Sequence, residues 1–519
     1  MKRILLIRPP EHYLPHRQRP MAYLPLGLLY IAAVLIKKGY EVDIVDGIMP
    51  QGRIKKGENF FGITFDDIKK RVEKIDFDIV GISAQFTFQW ANAIKTAEIC
   101  KKIRPKCKVI MGGAHVSFAF SSILRDFPFV DIVVKGEGEY VMPQLVESLR
   151  ANLSLEGITG VAYRDKGFIF SSGNIFIEDL DSLPFPAYNL VDIERYFWLT
   201  RKYFTRTSYH FPGWERGVTI ITSRGCPFSC VFCSIHLHMG RKWRAHSPEY
   251  ILRHIDYLVK NYNIKYLHFE DDNFTLEPKR CQDILKGMVD RKWDLRWDTP
   301  NGVRGDTFDV SLLEECKSSG CTHLIFGIES GNQRVLDEVI KKRLKLSCLE
   351  KVLAEAKRIG VDVKAFYIVG LPGETKEEIK NSVRYALKLI LKYECFGGFS
   401  MAVPLPGTEL YNICSKFNYF YCNPTIDNLS GGFTTQGIIK TDEFSPYFLK
   451  RMIKIYSLLA RFLKIIVFLK KLIRDPYLIL YFLSKIFTNP SSRWSLYYNK
   501  IVNFHHALMY DLKKKEKGR

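Results

Sequence analysis

The sequence has no uncharged apolar run of about eighteen residues, so no segment reads as a membrane span. The longest candidate, 452–487, is broken by Lys454, Arg461, Lys464, Lys470, Lys471, Arg474, Asp475 and Lys485. The opening residues MKRILLIRPPEHYLPHRQRP turn polar too soon for a secretory leader. Cysteine is scarce, 12 in 519 residues, which excludes a disulfide-stapled secreted scaffold. Acidic residues are in deficit: 55 Asp and Glu against 77 Lys and Arg, a net charge of +22. That excess suits an anionic partner, whether nucleic acid, membrane surface or acidic substrate. Hydrophobic residues at 47% and charged residues at 25% exclude a disordered or fibrous chain. The expectation is a cytoplasmic protein in a reducing compartment, with room for roughly three domains.

Residues 1–150 alternate strand and helix signals. KRILLIRPP reads as a buried strand, LGLLYIAAVLIKKGY as a helix stopping at Gly39, and EVDIVDG as a second strand. DIVGISA, a helix over about 90–103, KVIMGG and DIVVKGEGE follow. Such alternation predicts a doubly wound parallel sheet with helices on both faces. Gly112, Gly113, Gly136 and Gly138 fall at carboxyl ends of strands, where ligands of open α/β sheets bind. Each could equally serve only a tight turn. No GxGxxG follows the first strand, so the nicotinamide fingerprint is missing.

The sharpest motif is RGCPFSCVFC, with Cys226, Cys230 and Cys233 spaced C-x3-C-x2-C. Soft thiolates this close select zinc, copper(I) or an iron–sulfur cluster. A structural zinc site needs a fourth ligand, which His236 or His238 could supply. Three cysteines on a four-iron cluster leave one iron open for chemistry. The preceding run GVTIITSRG reads as a strand, which puts the cysteines on a loop after it. KYLHFEDDNF, LRWDTPNGVR, HLIFGIESG, VKAFYIVGLPGE and FSMAVPLPGTEL recur as strands between helical stretches, as in a partial (β/α) barrel. The nine other cysteines lack clustering and read as buried or incidental thiols.

These motifs resemble two known families. The order DIVGIS, VIMGGAH, DIVVKGEGE is similar to the cobalamin-binding domain that precedes radical SAM domains. The cysteine spacing, with Phe232 before the last cysteine, and the segments FEDDNF, GIESG, IVGLPGET and PLPGTELY resemble the radical SAM enzymes. The resemblance implies a Rossmann-like cobalamin domain (1–150), a linker (151–215), a (β/α)6 radical SAM barrel (216–440) and a basic helical tail (441–519). It implies a [4Fe–4S] cluster on Cys226, Cys230 and Cys233. It implies S-adenosylmethionine contacts from Glu270, Asp271, Asp272 and Asn273 to the methionine part. Glu329, Ser330 and Gly331 would lie near the ribose, and Gly370, Pro372 and Gly373 near the adenine. Cobalamin would be surrounded by Ser83, Gly112, Gly113, Gly136, Glu137, Gly138 and Glu139. The sequence departs from one cobalamin pattern: Arg8, Pro9 and Pro10 stand where an Asp-x-His-x-x-Gly ligand motif would begin. An Arg is also frequent where His246 stands, and His246 reads as a partly exposed polar contact.

The implied activity is reductive cleavage of S-adenosylmethionine with cobalamin-dependent C-methylation of an unactivated carbon. The small-molecule substrate would be lipid-like or a tetrapyrrole, and a reductant such as flavodoxin or ferredoxin would supply electrons. A radical cyclase or rearrangement enzyme is the alternative within the superfamily. A non-catalytic cobalamin- or zinc-binding regulator is the alternative outside it. Nucleic acid is not expected as a partner, because the aromatic, basic stretch YFWLTRKYFTRTSYHFPGW comes without a nucleic-acid fold. Residues 441–519 carry sixteen Lys and Arg against five Asp and Glu, half of the net charge. Lys450, Lys454, Arg461, Lys464 and Lys471 fall within about 100° of helical arc, a pattern that suits the anionic inner face of a membrane. Packing on the barrel with a solvated basic face is the simpler alternative.

Overall fold

In the computed structural model, residues 3–12, 23–49, 60–204, 214–425, 428–429 and 437–474 are described. The first sheet is built from β1 (Arg3–Arg8), β2 (Val42–Asp46), β3 (Phe77–Ser83), β4 (Lys108–Gly112) and β5 (Ile132–Val134). These five strands run parallel in the order β2-β1-β3-β4-β5. Their near-continuous Val, Ile and Leu content follows from burial on both faces. Helices Leu26–Lys37 and Gly138–Arg150 cover one face, with Leu28, Ala32, Leu35, Val141 and Leu145 in its core. Helices Phe65–Glu73, Trp90–Ile103 and Ala114–Asp126 cover the other, through Ile68, Val72, Ala93, Ala97, Val116 and Ile123.

Past residue 150 the first sheet continues. The hairpin of β6 (Val161–Asp165) and β7 (Phe168–Ser171) pairs antiparallel onto β5 and extends this sheet to seven strands. The hairpin turn Lys166–Gly167, with both residues at positive φ, sets a register that suits an edge. The rest of the expected linker is also packed. Tyr188, Ile193, Tyr196, Phe197 and Trp214 are buried in the core of the second domain. Residues 205–213 of the aromatic, basic stretch lie outside the described residues.

The second sheet consists of β8 (Gly217–Ile220), β9 (Tyr266–Phe269), β10 (Arg296–Asp298), β11 (Cys321–Glu329), β12 (Val363–Val369) and β13 (Phe396–Met401). All six run parallel in sequence order, and β8 and β13 remain unpaired with each other, so this is a six-stranded partial barrel. Its helices carry clear stop and start chemistry. Ser247 caps Pro248–Tyr262, which ends on left-handed Asn263, and Thr375 and Glu378 form a capping box on Lys376–Tyr393.

The expected tail begins as one helix, Pro446–Arg474, that packs on Lys376–Tyr393 and β13. Leu449, Tyr456 and Val467 form its buried stripe. A neighbouring stripe, Ile455, Leu458, Leu459, Phe462, Ile465, Leu469 and Ile473, is exposed beside the lysines. Residues 475–519, with the remainder of the basic tail, lie outside the described residues. Among the described residues no helix is long and apolar enough to cross a membrane.

Candidate active site at the barrel mouth

The cysteine loop leaves the carboxyl end of β8 and is tied down by backbone contacts. Ser223–Arg224 pairs antiparallel with Arg244–Ala245, closing the base of the loop. Val231 N–H donates to Ile340 O at 3.0 Å, and Leu410 N–H donates to Val231 O at 2.9 Å. Gly225 has φ +83°, and a Cβ there would stand 2.5 Å from Lys242 O. Gly225→Ala is therefore expected to displace the loop and reduce iron loading after reconstitution, measured per folded chain.

Cys226, Cys230 and Cys233 are all partly buried and free of disulfides. Burial pushes their thiols up, Cys233 to about 12, while Arg304 and Lys342 oppose the shift at Cys226 and Cys230. Deprotonation thus belongs to metal loading. Among the described residues no three His, Cys, Asp or Glu side chains are arranged to hold a single metal ion. His238 Nδ1 lies 3.2 Å from Ser234 O, back along its own helix. In a cubane each of three cysteines would bind a different iron. Phe232 is half-buried against the barrel core.

The acidic segment after β9 divides its work. Asp271 Oδ1 accepts from Thr222 N–H at 3.0 Å, from Thr222 Oγ1–H at 2.9 Å and from Ser223 Oγ–H. Asp272 Oδ2 accepts from Gly225 N–H at 3.2 Å. Both carboxylates therefore brace the start of the cysteine loop. Asp271→Ala removes three hydrogen bonds to one buried carboxylate. It is expected to cost about 2–4 kcal/mol of stability and to lower cluster loading, read by thermal melts and iron content. Asp271 Oδ2, both polar atoms of Asn273, Thr299 Oγ1 and Glu374 Oε1 are buried without a protein partner. All four residues sit just past the carboxyl ends of β9, β10 and β12. Orphans in such a ring are costly unless a ligand satisfies them. A zwitterionic amino acid moiety with a nucleoside has the donors and acceptors to do so, and the residues present fit S-adenosylmethionine. Burial, with Asp298 and Asp271 nearby, raises Glu270 to about 7 despite His268, and burial with Asp271 raises Asp272 to about 7.

Of the three residues expected near the ribose, Ser330 and Gly331 have partners within the fold. Ser330 is fully buried, its Oγ 3.0 Å from Ser382 Oγ, and Gly331 N–H donates to Ser382 Oγ at 3.1 Å. These two pin β11 to helix Lys376–Tyr393. Glu329, at left-handed φ +66°, receives Lys342 Nζ at 2.8 Å, and its charge acts on Cys230. In the Gly370–Gly373 turn, Gly370 N–H and Leu371 N–H both donate to Glu374 Oε2 at 2.8 Å. On that turn Pro372 is half-exposed and Gly373 is exposed. His246 is corrected. It is 1% exposed, stacks on Tyr250 at 4.0 Å and lies 3.2 Å from Asp181, with burial lowering it to about 3.

The first sheet meets the barrel through a buried ionic clamp that sequence reading missed. Arg244 donates to Glu137 through two nitrogens at 2.8 and 2.9 Å, and Arg224 donates to Glu139 at 2.7 Å. All four side chains are no more than 6% exposed. Glu137 Oε2 also accepts from Ile177 N–H at 2.7 Å. The side chains of Glu137 and Glu139, expected near cobalamin, are engaged in these ion pairs between the first sheet and the barrel. Ser83, Gly112, Gly113, Gly136 and Gly138 do lie half-exposed at the carboxyl edge. Gly113, at φ +119°, packs its backbone on Ala84 O, where a Cβ would stand 2.7 Å away. After β1, Arg8 pairs with Glu11 at 2.9 Å, and Gln89 donates to the same carboxylate at 2.7 Å. A side-chain-poor edge of this kind fits the close approach of a large cofactor.

The model of the B12 binding domain matches residues 18–146, and that of the radical SAM superfamily matches 220–386. An uncharacterised methyltransferase of Pyrococcus horikoshii is 34% identical, over 79% of this chain and 82% of its own. The cytidylyl-2-hydroxyethylphosphonate methyltransferase of Streptomyces wedmorensis is 31% identical, over 80% and 82%. The anaerobic magnesium-protoporphyrin IX monomethyl ester cyclase of Rubrivivax gelatinosus is 26% identical, over 70% and 61%. The fold matches that of the cobalamin-dependent radical enzyme OxsB with a TM-score of 0.68 at 17% identity, over 99% and 81%. With the cysteine loop, the barrel and the glycine-edged sheet in one chain, the protein belongs to the cobalamin-dependent radical SAM enzymes, the group of methyltransferases and porphyrin-cyclase-like enzymes that use a [4Fe–4S] cluster, S-adenosylmethionine and cobalamin.

Proposed function

We propose that the protein methylates an unactivated carbon of a hydrophobic small molecule. The observation that carries this reading is the buried clamp of Glu137 and Glu139 with Arg224 and Arg244. It joins the loop after β5 directly to the base of the cysteine loop. When bound, the cluster with S-adenosylmethionine supplies hydrogen-abstracting radical chemistry, and cobalamin supplies a transferable methyl group. The chain's own work is placement. Cys226, Cys230 and Cys233 hold the iron, Asp271 and Asp272 fix their loop, and Asn273 and Thr299 offer polar atoms at the mouth. The buried strands beneath exclude water.

The test uses reconstituted protein, dithionite and S-adenosylmethionine labelled in its methyl group, with a small-molecule extract. A product that gains the labelled methyl supports the reading. A product that only loses hydrogen favours the cyclase alternative, which the resemblance to the Rubrivivax enzyme keeps in view.

The exposed apolar stripe beside lysines on Pro446–Arg474 supports substrate access from an anionic bilayer surface. Deleting the helix would also uncover the barrel, because Leu449, Tyr456 and Val467 are buried there. Leu458→Asp with Phe462→Asp is the cleaner change. Loss of co-sedimentation with phosphatidylglycerol vesicles is expected, and unchanged sedimentation would remove the membrane reading.

A further inference from the structure

Two cations are buried against the cysteine loop. Arg304 follows β10 and Lys342 follows β11, and they are 7% and 8% exposed. The Arg304 guanidinium stands over the Phe228 ring, 3.7 Å from its centroid, and Phe228 lies between Cys226 and Cys230 in the chain. Arg304 Nη1 donates to Lys342 O at 3.1 Å, which ties the two cations together. Lys342 comes two residues after Ile340, whose carbonyl accepts from Val231 N–H of the cysteine loop at 3.0 Å. The charges of both act on the thiols of Cys226 and Cys230.

The backbone turns Lys342 inward at a cost. Its neighbours Lys341 and Arg343 are exposed and hold left-handed φ, +62° and +57°. Lys342 N–H and Arg343 N–H both donate to Leu336 O, at 2.8 and 3.2 Å. Non-glycine residues in that region are strained, and the strain persists only where the surrounding structure imposes it. Gly327 makes room for the buried ammonium: a Cβ there would stand 2.9 Å from Lys342 Nζ.

The counter-charges are placed unequally. Asp306 holds Arg304 through two nitrogens, at 2.6 and 2.9 Å. The Arg304 side chain is 8% exposed and that of Asp306 29%, so water screens the negative end of the pair more than the positive one. Lys342 pairs with Glu329 at 2.8 Å, and Glu329 offsets it at Cys230. Arg304 is thus the less compensated of the two cations. Reducing a [4Fe–4S] cluster adds one electron and no proton, so the thiolate-bound group gains one negative charge. A fixed positive charge out of water favours that gain, and net charge is one of the terms that set a cluster's potential.

We infer that Arg304, with Lys342 beside it, sets the reduction potential of the cluster on Cys226, Cys230 and Cys233 and holds it within reach of a low-potential one-electron donor. This rests on the enzymatic reading and gives both residues a part in its first step. In that step one electron leaves the donor, which is oxidised, and enters the cluster, with no bond made or broken.

The test is anaerobic potentiometry of reconstituted holoenzyme with titanium(III) citrate and mediator dyes, the reduced cluster read by EPR. S-adenosylmethionine is left out, so that contacts to it do not enter the result. Arg304→Met is expected to lower the ratio of reduced to oxidised cluster about tenfold at a given applied potential, a downward shift of about 59 mV for one electron. Lys342→Met should shift it the same way by less. Arg304→Lys keeps the charge and should stay near the wild type. Asp306→Asn keeps Arg304 but removes its counter-charge, and should shift the potential upward. Arg358→Met, which removes an exposed cation paired with Glu355, is the control and should shift nothing. A merely structural role would change cluster loading without moving the potential in opposite directions. If Arg304→Met takes up no cluster, Asp306→Asn decides, because its partly exposed side chain can be replaced with less disturbance. Wild-type potentials in cluster-bearing Arg304→Met or Asp306→Asn overturn the inference. If the wild type itself gives no reduced-cluster signal and no labile sulfide, the enzymatic reading falls first; a normal signal with unmoved potentials sinks this assignment alone.

Discussion

Cys226→Ala, Cys230→Ala and Cys233→Ala are each expected to stop 5′-deoxyadenosine formation from S-adenosylmethionine while leaving the apoprotein folded. The reason lies in how the loop is held. Its fixed points are Val231 to Ile340, Leu410 to Val231, Cys226 N–H to Gly240 O at 3.3 Å and the carboxylates of Asp271 and Asp272. None of these uses a thiol. Removing one sulfur therefore costs the site a ligand and the fold little. Each cysteine binds its own iron in a cubane, so two cannot do the work of three. The check is anaerobic turnover with dithionite alongside a thermal melt of the apoprotein. A variant that retains turnover would show that its cysteine is not a ligand. A variant that fails to fold would show that the loop is held differently.

Glu137→Ala is expected to be the most destabilising single change at the domain junction. It leaves Arg244, 2% exposed, without its bidentate partner and takes one of two carboxylates from Arg224. Breaking one side of a buried ion pair costs about 3–5 kcal/mol, because the remaining charge stays out of water. Burial alone would lower Arg224, yet Glu139 and Glu137 hold it above its ordinary value, so the pairing dominates there. The junction also joins the carboxyl edge of the first sheet to the cysteine loop. Cobalamin retention on gel filtration and cluster content are therefore expected to fall together in this variant. Glu178→Ala, which removes an exposed pair with Lys242, is the matched control and should change neither. If Glu137→Ala melts like the wild type, the clamp is not a structural tie.

Much of this was readable before any coordinates. C-x3-C-x2-C is a local pattern, and three thiols within eight residues converge whatever the fold around them. The parallel sheet was readable because strands buried on both faces show as continuous apolar runs, and β1, β3 and β4 do. What escaped was contact over distance. Glu137 and Arg244 are 107 residues apart, and nothing near either one announces the other. The resemblance puts Glu137 and Glu139 in the turn beside cobalamin and carries no sign of their ion pairs with Arg224 and Arg244. The run ITGVAYRDKGFIF reads as a hairpin, but its pairing onto β5 is a long-range contact that the local pattern does not show. His246 was misjudged for a related reason: the polar stretch GRKWRAHSP hides how deeply it is buried against Tyr250. The scattered cysteines read correctly as largely inert, since Cys100, Cys281, Cys316, Cys395 and Cys414 are buried and burial pushes their thiols up.

The most direct measurement is metal and cofactor content of one anaerobic preparation, with iron, acid-labile sulfide, cobalamin and zinc determined together. About four iron and four sulfide per chain, lost in Cys233→Ala, with cobalamin retained through gel filtration, is the predicted result. Stoichiometric zinc without labile sulfide, persisting after reconstitution with iron and sulfide, would contradict it.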